Sequence, residues 1–368
     1  MGTSHAGDDE LIATGLLDPH DPHAPERRQL LRWLAERGFS VEEMRAAAEA
    51  GDLAALAGDS ARRADITLTP ADISARTGIP LGRLVEMRRT AGLPPVDPDV
   101  PVYTESELAA FEQLGAAGEL FSWDELMAFL RVVGSSMARI ADAANTLFLH
   151  EVEQPLVAAG ATELDLAHTS LRGTQLAAGV SSMLDMLFRQ HLEESIDWTR
   201  RAHHHAAGPG LVVPMAVGFV DLVGFTGQSS ELQAEALAAL VARFERTAHD
   251  IVTERGGRLV KLIGDEVMFV SVDAHTACDI AVHLLTAFGD DDELTPRGGL
   301  AYGDVLARAG DFFGPTVNLA ARLTEQAVPG EVLATPEAAE SAAHHAQPAG
   351  RRLLKGFAEP IQVVSLTP

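Results

Sequence analysis

Residues 218–230, GFVDLVGFTGQSS, set one acid, Asp221, in a run that otherwise reads as a buried strand. An uncompensated buried carboxylate is costly, so a chain that places one on a strand gives it something to hold. The run belongs to a longer stretch, VVPMAVGFVDLV. It is followed by RLVKLIG, EVMFVSV, GGLAYGDVLA, GEVLA and IQVVSL, all short and rich in Val, Ile and Leu. Helical stretches lie between them, such as SSELQAEALAALVARFERTAHDIVTERGG and AHTACDIAVHLLTAFG. Strands alternating with helices, some strands paired as hairpins, predict an α/β sandwich over residues 213–368.

The chain upstream has another texture. Residues 1–25 are polar and include DPHDPHAP, which predicts a disordered lead-in. From 26 to 202 the apolar spacing is helical, so the fold class is α+β with an all-helical N-terminal domain. In SWDELMAFLRVVGSSMARI, Ser122 and Glu125 have capping-box spacing, and Leu126, Phe129, Leu130, Val133, Met137 and Ile140 share one face. In LTPADISARTGIPLGRLVEMRRTAGLPP, Thr69 reads as an N-cap before Pro70. HHHAAGPG then breaks the pattern, which places a linker at 203–212.

With 46% apolar and 22% charged residues in 368, the chain has the composition of a globular protein of two or three domains. It holds no apolar run of about 18 residues, and MGTSHAGDDELIATG lacks a basic segment before an apolar one. Its one cysteine, Cys278, permits no internal disulfide and suits a reducing cytoplasm. The formal charge of −25 opposes nonspecific binding to nucleic acid or anionic membranes. A polyanionic substrate would therefore need local cations at its site.

Asp221 has a companion. In RLVKLIGDEVMFV, Gly264-Asp265 separates two apolar runs as a hairpin turn, which puts Asp265 at the tip. Two carboxylates so placed suit hard divalent cations with positions left open for phosphate. Gly224, Phe225, Thr226 and Gly227 follow Asp221 toward a helix start, where free backbone N–H groups attract phosphate oxygens. Each piece also has a plainer reading: a structural acid, a common turn. In GDFFGPTVNLAARLTE, Asn318 and Arg322 are four apart on a predicted helix and share a face suited to phosphate or ribose oxygens. A surface Arg322 paired with Glu325 explains that spacing equally well.

Four ordered stretches, FVDLVGFT, VKLIGDEVMF, GLAYGDV and DFFGPTVNLAARL, make the last 160 or so residues resemble the class III nucleotidyl cyclases. The resemblance implies a ferredoxin-like α/β sandwich in which Asp221 and Asp265 bind two Mg²⁺ or Mn²⁺ ions. It implies that Lys261 and Asp311 read the purine, that Asn318 and Arg322 stabilise the transition state, and that Lys355 binds triphosphate, with Arg308 a weaker counterpart. An ammonium donating to adenine N1 and a carboxylate accepting from N6 point to ATP, because guanine presents the opposite pattern. The family divides each site between two chains, so a homodimer with two interfacial sites is expected.

The helical half resembles the regulatory domain of actinobacterial, acid-sensitive adenylyl cyclases in layout and position. Its unit at 69–93, with Arg83, Arg88 and Arg89, also admits a DNA-binding reading, against which the acidity stands. His203, His204 and His205 beside Arg200 and Arg201 form a candidate pH switch, since imidazoles gain charge near neutral pH. A solvated linker is the alternative. Apolar helices such as GVSSMLDMLF read as a dimerisation core, and a lipid ligand in this half is a further reading. A diguanylate cyclase lacks support because the Gly-Gly-Asp/Glu-Glu-Phe pattern is absent. A non-catalytic nucleotide sensor is the remaining alternative to an enzyme.

Overall fold

Ser40, Thr69 and Thr104 each stand at a helix start and accept a bond from the backbone N–H three residues on, and the acid there bonds back. Such reciprocal caps supply partners to N–H groups that a helix end otherwise leaves bare. In the computed structural model, which describes residues 8–63, 65–204, 212–225, 227, 232–288, 295–340, 342 and 346–367, the first unit is Met1–Arg189. It runs α1 (Asp8–Ala13), α2 (Ala24–Glu36), α3 (Val41–Ala50), α4 (Leu56–Arg63), α5 (Pro70–Thr77), α6 (Leu81–Thr90), α7 (Glu105–Ala117), α8 (Trp123–Phe148) and α9 (Gln154–Ala158). A small ribbon joins β1 (Ile66–Leu68) to β2 (Tyr103–Thr104). The last helix, α10 (Glu163–His204), continues into the second unit, Gln190–Pro368.

Three features correct the sequence reading. The expected disorder of 1–25 fails for residues 8–25: α1 forms there, and Leu11, Leu16 and Leu17 bury against Leu30, Leu31 and Leu34 of α2. Burial of three leucines offsets the ordering cost that the polar composition suggested. Ser122 does accept the Glu125 N–H at 3.3 Å, yet the reciprocal half of the capping box is absent. The apolar face of α8 is only partly covered: Leu126 is buried, but Phe129 is 59% exposed, and Met137 and Ile140 are exposed too. Along α10, Leu176, Met183, Met186, Phe188, Leu192 and Ile196 are likewise exposed.

α5 and α6 form with the Thr69 cap, but Arg83 lies over the Trp123 ring at 4.6 Å and Arg88 donates to the Pro94 carbonyl. A cavity of about 1120 Å³ mixes Phe39, Leu56 and Ile66 with Glu43, Asp59 and Arg63, and nothing in it selects an acyl chain. The lipid reading is not supported.

The second unit holds β3 (Val212–Val223), α11 (Ala234–Glu254), β4 (Arg258–Ile263), β5 (Glu266–Ser271), α12 (Ala274–Phe288), β6 (Thr295–Arg308), β7 (Asp311–Phe313), α13 (Pro315–Gln326), β8 (Val332–Ala334), α14 (Pro336–Ala339), β9 (Ala346–Arg352) and β10 (Ile361–Leu366). Among the described residues the strands make one mixed sheet, ordered β4-β5-β3-β6-β8-β10-β9, with β7 on β6. Pairing is antiparallel except between β6 and β8. So the fold is α+β, a helical half followed by a mixed α/β sandwich.

Strand alternation assigns the two faces. Ala216, Val220 and Leu222 of β3 pack with Phe244 of α11 and with α12. Val213, Met215, Val217 and Phe219 pack on the other face, with Ala320 of α13 and with Trp198 and Ala202 from the end of α10. Asp221 continues this second row. The β-carbon of an alanine at Gly299 would sit 2.3 Å from the Ala320 carbonyl oxygen, so α13 lies tight on β6 because that position has no side chain.

Candidate active site

Register brings the first cluster together. Asp221 faces Glu266 of β5 on one side and Arg297 of β6 on the other. The β4–β5 hairpin turns at Gly264, whose φ of 64° lies in the left-handed region, and sets Asp265 beside β3, where its carbonyl accepts the Leu222 N–H at 3.3 Å. Asp221 and Asp265 are thus brought together. Burial, with the Asp221 charge adding, holds the Asp265 carboxyl above the ordinary carboxylate range against its own backbone hydrogen bond. Glu266 is pushed up to about 7 by burial first, then by Asp221, Asp265 and Glu325, with Arg297 opposing. Two neighbouring acids resisting ionisation, Asp265 and Glu266, are the electrostatic condition that an added cation relieves.

Arg297 is the residue that sequence reasoning missed. Its Nε and Nη2 donate to Oδ2 of Asp221 at 3.2 and 3.0 Å, and its Nη1 donates to the Glu325 carbonyl at 3.3 Å. Its signal was only a basic residue opening a strand, and the pairing becomes visible once β6 is aligned with β3. Among the described residues no group of three or more His, Cys, Asp or Glu is placed to hold a metal ion. The Asp221–Asp265 pair fits a divalent cation that takes its remaining oxygens from a phosphate.

The second cluster is a pair. Lys261, opposite Met268 after a bulge in β4, donates Nζ to Asp311 Oδ1 at 3.0 Å and Oδ2 at 2.8 Å. Asp311 is held in turn by the Phe312 N–H at 2.8 Å, at the end of a tight turn through Ala309 and Gly310, both with positive φ. Fifty residues apart in the chain, the two side chains meet on one rim. Both are about a third exposed, so the pair adds little stability and chiefly fixes orientation.

The third cluster sits on α13. Pro315 opens the helix after Gly314, and Thr316 anchors it by donating to the Asp304 carbonyl at 2.7 Å. Asn318 is exposed one turn before Arg322. Arg322 bonds Glu325, the alternative its spacing allowed. Among the described residues no hydrogen bond joins Asn318 or Arg322 to Asp221, Asp265, Lys261 or Asp311. Lys355 is exposed after buried Leu354, and Arg308 is exposed opposite Asp311. Among the described residues no side-chain hydrogen bond or ion pair joins either of them to Asp221, Asp265, Lys261, Asp311, Asn318 or Arg322. Gly224 takes a φ of 95° and Phe225 packs on the core, whereas Thr226 lies outside the described residues.

Of the three histidines, His203 lies in the last turn of α10 with Nδ1 2.8 Å from the Thr199 carbonyl. The His204 side chain and all of His205 lie outside the described residues. Arg200 and Arg201 are paired with Asp197 and Glu194. Cys278 is buried, donates to the Ala338 carbonyl, and burial pushes its thiol up to about 12, which removes it as a nucleophile. No described helix is long and apolar enough to cross a membrane.

Known proteins share this layout. Residues 9–196 match the family model described as an adenylate cyclase regulatory domain, and residues 212–364 match the adenylate and guanylate cyclase catalytic domain. An uncharacterised protein of Mycobacterium tuberculosis is 33% identical over 97% of this chain and 93% of its own. A pH-sensitive adenylate cyclase of M. tuberculosis is 34% identical over 86% of this chain and 80% of its own. Among solved structures, the adenylyl cyclase CyaB from P. aeruginosa is 26% identical, covering 43% of this chain and 95% of that one, with a TM-score of 0.40.

Proposed function

The chain belongs to the adenylate cyclases that carry an N-terminal regulatory domain, and on that premise we propose that it converts ATP to 3′,5′-cyclic AMP and pyrophosphate. The observation that supports this reading is the Lys261–Asp311 pair, in which an ammonium donor and a carboxylate acceptor of the kinds adenine needs meet on one rim. Lys261 donates to N1 and Asp311 accepts from the N6 amine. GTP meets a donor against its N1–H and an acceptor against O6.

In the proposed reaction the ribose 3′-oxygen attacks the α-phosphorus and the bond to pyrophosphate breaks. Asn318 orients the ribose, and Arg322 faces the charge that develops on the α-phosphate. Asp221 and Asp265 would hold Mg²⁺ or Mn²⁺, whose chemistry here is to acidify the 3′-hydroxyl and neutralise phosphate charge. That chemistry also meets the problem of a −25 chain binding a polyanion. The pairing of Arg322 with Glu325 in the single chain requires that salt bridge to exchange for phosphate.

A homodimer is part of the proposal. The metal aspartates come from one chain, and the base-reading and transition-state residues from the other. The exposed apolar residues of α8 and of α10 supply surface for such a partner. We place the protein in the cytoplasm and assign the helical half to regulation, with pH as its signal, through His203, His204 and His205. Replacing all three by Gln should flatten the pH–activity profile around neutral pH. An unaltered profile removes the switch.

Incubation with ATP and Mn²⁺, then chromatography for cyclic AMP and pyrophosphate, tests the main reading, with GTP in parallel. Nucleotide bound but unchanged would favour the sensor alternative. Arg322→Ala should lower turnover roughly 10²–10³-fold with the melting temperature unmoved, the usual loss for one preorganised donor. Near-normal turnover would remove Arg322 from the chemistry.

A further inference from the structure

Among the described residues, Arg297 is the cation that bonds Asp221 and opposes the charge on Asp265 and Glu266, whereas the Glu325 carboxylate is taken by Arg322. Its grip is one-sided: Nε and Nη2 both go to Oδ2 of Asp221, and neither goes to Oδ1. The guanidinium is pinned from behind, because Nη1 donates to the Glu325 carbonyl in the last turn of α13. Helix C-terminal carbonyls favour a cation there. The side chain is also largely covered, at 28% exposure, with Asp221 at 21%.

We propose that Arg297 is a positioning residue: anchored on α13, it fixes Asp221 through Oδ2 so that Oδ1 is presented to the divalent cation. This rests on the reading of Asp221 and Asp265 as the cation's ligands. Carboxylate ligands are oriented by hydrogen bonds from a surrounding layer of donors, and loss of such a donor typically weakens metal affinity by roughly 10–100-fold. A competing role follows from the same charge. If Arg297 were merely a resident counterion that the metal must displace, its removal would tighten metal binding.

The two roles have opposite signs, so one titration separates them. Mn²⁺ alone, without nucleotide, is titrated into the full chain and its free fraction followed by electron paramagnetic resonance. Arg297→Ala should bind Mn²⁺ about 10–100-fold more weakly than the parent protein. Arg297→Lys, which keeps the charge and one donor to Asp221, should recover part of that loss and guards against a variant that fails to fold. Affinity that is unchanged or higher in folded Arg297→Ala overturns the proposal. Asp221→Asn is titrated beside them. If it binds Mn²⁺ as the parent does, the ligand assignment has failed, and that outcome is distinct from failure of the Arg297 role.

Discussion

Asp221→Asn should lower cyclase turnover by about 10³-fold or more, the largest single loss expected in the molecule. The substitution keeps the volume and removes the charge. Its cross-strand neighbours, Glu266 of β5 and Arg297 of β6, remain in register, so the loss reports the carboxylate and not the strand. Loss of several kcal/mol of metal-borne stabilisation, at about 1.4 kcal/mol per decade of rate, gives that magnitude. Folding should hardly change, since the variant relieves repulsion on Asp265 and Glu266, while Arg297 loses its charge partner and keeps its bond to the Glu325 carbonyl. The measurement is kcat at saturating ATP with the melting temperature as control. Mixing this variant with Asn318→Ala should restore activity, up to about a quarter of normal at equal amounts, because each mixed dimer regains one intact site. Turnover within tenfold of normal in the single variant, or no recovery on mixing, would refute the shared two-carboxylate site.

The second large effect lies in base choice. Lys261→Glu should lower kcat/KM for ATP by roughly 10²–10⁴-fold, because two charge-assisted contacts of about 1.5–3 kcal/mol each are lost. The substitution sets a carboxylate where adenine N1 needs a donor, and it faces Asp311 with a like charge. GTP should suffer less, since its N1–H can donate to the new acid. The ratio of kcat/KM for ATP over GTP is the readout, and it should fall by about 10² or more. An unchanged ratio would mean that the Lys261–Asp311 pair is structural and that the base is read elsewhere.

What the sequence made legible follows distance along the chain. Asn318 and Arg322 sit four apart on one helix, and the Gly264-Asp265 turn lies between two apolar runs, so local rules reached both. The strands of the second unit announced themselves through aliphatic runs buried on both faces. Lys261 and Asp311 lie on separate strands, and only the family resemblance joined them before the fold did. Arg297 could not be read at all. It stands in TPRGG without a motif, and its meaning comes from the β3–β6 register. At the other end of the chain, a polar composition masked three leucines that bury against α2. Composition averages over residues, whereas packing selects a few.

Trp198, buried near the end of α10, bears on how the second half can be separated from the first. Its indole and Ala202 fill the α13-side core under β3. A fragment begun at the composition break near residue 203 would therefore start with a ring-sized hole beneath its sheet. One begun near Gln190 keeps its own plug.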